Sequence, residues 1–132
     1  MMIFTGGEWA DKINFVDENN VLVGYDMCQD CCEDADWFIS EQMHKETDGV
    51  YLHKHGRGTK LTAEDLKPYV FEPNFFVGIE DSELDSGGMV AFRLVAKGKP
   101  DLFLHLFNAH NGYYGHGFEV KISGETIHKD TL

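Results

Sequence analysis

"GGMVAFRLVAKGKPDLFLHLFNAHNGYYGHGFEVKI", residues 87–122, is the most patterned part of the chain. Apolar residues alternate with polar ones over three runs, and Gly, Pro and Asn punctuate them. That pattern predicts three consecutive antiparallel strands. A loop over residues 97–101 sets Leu94 opposite Leu104 and Phe92 opposite Leu106. A second loop over 111–115 sets His110 opposite His116, Asn108 opposite Phe118, Leu106 opposite Val120 and Leu104 opposite Ile122. Both hairpins then bury one face, and a slip by one residue would expose the whole set. The other face carries Phe103, Phe107 and Val95 among Arg93, His105, Glu119 and Lys121, and is expected to be half covered. If helices do not cover it, a homodimer would.

Upstream, "KINFVDENNVLVGYD" reads as a β-hairpin. A three-residue loop, Glu18-Asn19-Asn20, places Phe15 opposite Val23 and Ile13 opposite Tyr25. Asn20 can supply the left-handed residue such a loop needs. "DCCEDADWFISEQM" admits two readings. Ala35, Phe38, Ile39 and Met43 fall at helical spacing behind an Asp30/Glu33 cap, whereas Ala35, Trp37 and Ile39 alternate as in a strand. The helix is the preferred expectation. "GVYLHKHGRGTKL" predicts a short strand ending in a Gly-rich turn. "TAEDLK" predicts a brief helix with Thr62 as N-cap and Pro68 at its end. "NFFVGIED" predicts a strand, and the polar tail an edge segment. The expected fold is α+β: one domain over residues 1–132, a mainly antiparallel β-sheet built from hairpins, with one or two short helices.

Composition narrows the function classes. The formal net charge is −12. Residues 1–48 hold twelve acids and two bases, and residues 17–36 hold seven acids and no base. Such a surface repels phosphate backbones and disfavours nucleic acid as a partner. No apolar run approaches the ~20 residues that cross a bilayer, and no basic-then-apolar leader opens the chain. The expected location is the cytoplasm, with no membrane partner.

All three cysteines lie in "YDMCQDCCEDADWF". Cys28 and Cys31 form a C-x-x-C, but no βαβ context surrounds it, and the dense carboxylates oppose the thiolate that redox chemistry needs. Cys28, Cys31 or Cys32 with His110 and His116 would offer zinc a thiolate–imidazole set, because cross-strand β-carbons lie ~5 Å apart. Adjacent cysteines rarely aim both sulfurs at one ion, so structural burial with no cofactor is the expected state. A cysteine-dependent hydrolase would need a thiol within reach of His110 or His116. His53 and His55 share a strand face, without the nearby carboxylate of a cupin-like metal site.

"AHNGYYGHGF" concentrates histidine, Asn, Tyr and Gly. His110, Asn111, Tyr113, Tyr114 and His116 are the candidate ligand-binding residues, because tyrosines offer contact area plus a hydroxyl. No phosphate loop, dinucleotide fingerprint, zincin helix or nucleophile elbow occurs. The expected function is a small soluble binding or accessory module without catalysis, for a protein or small-molecule partner. Zinc binding and thiol hydrolysis are the alternatives.

"QDCCEDADWFI" and "HNGYYGHGFEV" resemble segments of small uncharacterised bacterial and phage-encoded domains. Those carry an Asp-Cys-Cys-Glu element after a short hairpin, here Asp30, Cys31, Cys32 and Glu33, and end in a β-hairpin, here around His110 to His116. The resemblance implies no activity and points to a bacterial or phage origin.

Overall fold

The computed structural model describes residues 1–6, 11–28, 33–46, 55–110, 112 and 115–132. Among these, nine strands form two antiparallel sheets. One sheet runs in the order β1 (Met2–Thr5), β2 (Lys12–Val16), β3 (Val21–Asp26), β8 (Gly117–Ile122), β9 (Glu125–Thr131). The other runs β4 (Glu33–Ser40), β7 (Leu102–His110), β6 (Gly88–Val95), β5 (Val70–Ile79). Helical structure among the described residues amounts to α1 (Ala63–Leu66) and a 3-10 turn at Ser82–Leu84. The fold is therefore nearly all-β, which corrects the α+β expectation.

The correction has two physical sources. Glu33–Ser40 is a strand, not a helix, and pairs with β7 along its whole length. Its inward residues Ala35, Trp37 and Ile39 pack into the core, while Asp34 and Asp36 face outward and meet Arg57 at 2.7 and 2.6 Å. The alternating reading won because an eight-residue ladder with β7 satisfies backbone groups that an isolated short helix would leave to water. The Asp30 cap lies outside the described residues.

The second source is the partner of β8. It does not fold back on β7, because β4 and β6 already occupy both edges of that strand. It pairs instead with β3, Val23 opposite Val120 and Tyr25 opposite Phe118. Leu104 and Leu106 on one sheet and Phe118 and Val120 on the other still bury in the same cluster, from opposite sides. Period-two patterning reports which face is apolar, not which sheet the strand joins.

Several expectations hold, whereas the strand expected within residues 49–61 lies largely outside the described residues. The first hairpin has the predicted register, Ile13 opposite Tyr25 and Phe15 opposite Val23, and Asn20 has φ of 59°. Thr62 caps α1 in a reciprocal capping box with Asp65. The tail is the edge strand β9. The β6–β7 hairpin is slipped by two residues, so Phe92 opposes Leu104 and Leu94 opposes Leu102. Its turn bonds Lys99 N–H to the Ala96 carbonyl around Gly98, whose φ is 73°. A two-residue slip keeps every side chain on its face: Leu104 is fully buried and Phe103 only partly.

The inner faces of the two sheets share one core, as in a β-sandwich. Phe15 and Trp37 meet edge to face at 5.1 Å across the layer. The Tyr25 hydroxyl crosses it to donate to the Phe107 carbonyl at 2.6 Å. The buried Asp17 ties the hairpin loop to β5: its carboxylate accepts from Asn19 and Val21 N–H at 2.9 Å and from Phe71 N–H at 2.8 Å. Gly87 is obligatory, since a Cβ there would sit 1.8 Å from the Asn108 carbonyl oxygen.

Asp17→Ala leaves those buried donors without an acceptor and is expected to cost about 2–3 kcal/mol in urea unfolding. Asn20→Gly, which relieves a left-handed residue, is expected to change stability by less than about 0.5 kcal/mol. Equal losses for the two variants would show that the hairpin is not anchored as described.

Candidate functional site

Three places concentrate polar chemistry. The first is the end of the sandwich where β3 leads into β4 and β7 leads into β8. Glu33 opens β4 opposite His110, the last residue of β7. His116, just before β8, reaches across the sheets: its Nε2 lies 2.9 Å from Glu33 Oε1 and its Nδ1 2.7 Å from the Asp26 carbonyl. A nitrogen facing a carbonyl must donate, so Nδ1 carries a proton and Nε2 shares one with Glu33. Both side chains are nearly fully buried. The His110 backbone carbonyl accepts from Ser86 N–H, and its Nδ1 accepts from Gly112 N–H, both at 2.9 Å. Tyr25 lies beside His116, and burial, with Asp26 next, pushes its phenol pKa up.

Of the residues expected at a site, His110 and His116 are thus at this end, on different sheets rather than across a hairpin. Cys28 is exposed in the same connection as Asp26, whose carboxylate accepts its N–H at 2.9 Å. Cys31, Cys32, Asn111, Tyr113 and Tyr114 lie outside the described residues, as does His53. Among the described residues no group of three or more His, Cys, Asp or Glu side chains is placed to hold a metal ion. With His116 bonded through both nitrogens, zinc there would have to displace Glu33 or the Asp26 carbonyl.

The second place is the outer face of the four-stranded sheet. His105 is fully buried there, stacked on Phe38 at 4.1 Å, with His55 stacked on the same Phe38 at 4.8 Å. His44 donates its backbone N–H to His105 Nε2 at 3.1 Å and bonds Asp81 through its own Nε2 at 2.7 Å. An Nε2 that accepts cannot hold a proton, so His105 is the neutral Nδ1–H tautomer. Burial, then His55 and His44, lowers its pKa from 6.5 to about 3. With Leu84, Met89 and Phe107 packed beside Phe38, this part of the face is covered from within the chain, while Phe103 and Val95 stay half-buried.

The third place is the outer face of the five-stranded sheet, which no other described segment covers. A groove of about 700 Å³ crosses it. One ladder row spans its floor: Phe4, Asn14, Gly24, Glu119 and Lys129, each opposite the next. Gly24 makes the floor low, and the Lys12 side chain lies directly over it to reach Glu119. Lys121 adds a contact to Glu119 at 3.7 Å. The Lys12 bond, then the charges of Lys12, Lys121 and Lys129, hold the Glu119 carboxyl below its ordinary range. Sequence reading missed this groove. Its one local signal was Gly24 inside an apolar strand, which marks a close approach over the backbone.

Comparison with protein-family models, curated proteins and solved structures finds no match to this chain. Among the described residues no helix is long and apolar enough to cross a membrane.

His105 gives a pH prediction. Above pH 6.5 it is neutral whether folded or unfolded. Below that, the unfolded chain takes up a proton that the folded one refuses until about pH 3. Stability is expected to fall with falling pH across this window, with His105 contributing up to about 1.4 kcal/mol per pH unit. In His105→Gln, unfolding free energies measured from pH 7 to 4 should lose about one proton's worth of slope. An unchanged slope would mean that His105 is charged in the folded state.

Proposed function

We propose that the protein is a small non-catalytic binding module, working in the cytoplasm, whose ligand lies in the groove on the outer face of the five-stranded sheet. One observation carries this reading. The two sheets treat their outer faces differently: on one the chain itself closes over Phe38, His105 and Phe107, and the other keeps a groove floored by glycine and lined by charged side chains. Binding sites are concave, with a mixed apolar lining and a few placed polar groups. The odd cysteine count and the exposed Cys28 suit a reducing compartment.

The loop end is the second reading, because the buried Glu33–His116 contact brings the cysteine-bearing and tyrosine-bearing connections together. Zinc is disfavoured there by the engagement of both His116 nitrogens.

The two readings separate by chemical-shift mapping of ¹⁵N-labelled protein with a fragment library of small acids, aromatic alcohols and sugars. Perturbations are expected at the amides of Gly6, Asn14, Gly24 and Gly117. Perturbations confined to His110, Gly112, Gly115 and His116 would move the site to the loop end.

A further inference from the structure

The open sheet face is chemically polarised. Its first row runs from Phe4 on β1 to Lys129 on β9, and the adjacent row runs Met2, Val16, Leu22, Lys121. The β1–β3 side is thus apolar, with Met2 61% and Phe4 41% exposed beside the half-buried Val16 and Leu22, so that the exposed apolar groups are contiguous. The β8–β9 side is cationic. Lys12, Lys121 and Lys129 converge on a single Glu119 in a chain whose net charge is −12. Three of its eleven basic residues therefore share one groove, with Asp26 as the other lining acid. Between the two sides the Lys12 stem lies on Gly24. The row spans four strand spacings, about 19 Å.

Resting on the groove reading above, we propose that the ligand is a soluble amphiphilic anion: a single acidic headgroup on an apolar chain. The headgroup sits at Lys121 and Lys129, where Glu119 leaves an excess of positive charge. The apolar chain lies on the Lys12 stem and covers Leu22 and Phe4. Lys12 forms the middle of the floor, its stem packed on Gly24 and its ammonium held by Glu119. A neutral amphiphile gains the apolar contacts without the lysines. A short acid gains the lysines without the apolar contacts. A polyanion such as nucleic acid is repelled by the surrounding acidic surface. The protein's own second copy, equally acidic, is repelled as well.

The test is a titration of ¹⁵N-labelled protein with decanoate below its micelle concentration, with acetate and decyl maltoside as separate head and tail probes. Decanoate is expected to shift the amides of Leu22, Gly24 and Glu119 saturably. Acetate and decyl maltoside should bind about tenfold more weakly or worse, and the double variant Lys121→Gln/Lys129→Gln should bind decanoate about tenfold more weakly with its spectrum otherwise intact. Phe4→Ser, which leaves the lysines in place, should also weaken decanoate but not acetate. Equal binding of decyl maltoside and decanoate would overturn the proposal. So would decanoate binding unchanged in the lysine variant, or no saturable shift in the groove. Library fragments that bind the groove while decanoate does not would sink the ligand class and leave the groove standing.

Discussion

The molecule depends on one apolar layer between two sheets. Phe15, Val23, Tyr25, Phe118 and Val120 enter it from the five-stranded sheet, and Ala35, Phe92, Leu94, Leu104 and Leu106 from the four-stranded one. Each Val, Leu or Phe among them contributes about 1.5–3 kcal/mol on burial, and neither sheet can bury its inner face without the other. Three polar side chains inside the layer reach a partner on the opposite sheet or its loops. Tyr25 bonds Phe107 O, Asp17 bonds Phe71 N, and His116 bonds Glu33. These cross-sheet bonds set how the sheets sit on one another, because an unpaired polar group in this layer would cost more than the bond gains.

With the inner layer complete, the outer faces are free to differ. Over the four-stranded sheet, the segments around His44, His55 and Asp81 close on Phe38 and His105 and leave them dry. Histidine there is a packing and hydrogen-bonding residue, held neutral by burial. Over the five-stranded sheet, glycine at position 24 and the lysine–glutamate cluster keep a polar, accessible groove. Ladder pairing puts Glu119 between Gly24 and Lys129, so strand order assembles the cluster from three separate strands, β2, β8 and β9.

What the sequence discloses follows the range of the interaction. The first hairpin was legible to the residue, because its turn chemistry and alternation are local: Asn20 takes the left-handed conformation and Phe15 meets Val23. The buried faces of β6, β7 and β8 were legible too. Their pairing was not, since Leu106 and Val120 show the same periodicity whether they are ladder neighbours or face each other across a sandwich. β4 was misread because Ala35 and Ile39, four apart, satisfy both periods, and only the long-range ladder with β7 decides. Strand β1 went unread. The buried Glu33–His116 contact and the lysine groove join residues dozens of positions apart, and no local spacing announces them.

The partner of β8 is the most direct test, because the inner layer, the cross-sheet bonds and the groove all follow from it. Cross-strand backbone nuclear Overhauser effects report it. The two-sheet arrangement predicts contacts between Val23 and Val120, between Gly24 and Glu119, and between Leu106 and both Trp37 and Val90. A backbone ladder joining Leu106 to Val120 and Asn108 to Phe118 would place β7 and β8 in one sheet and contradict it.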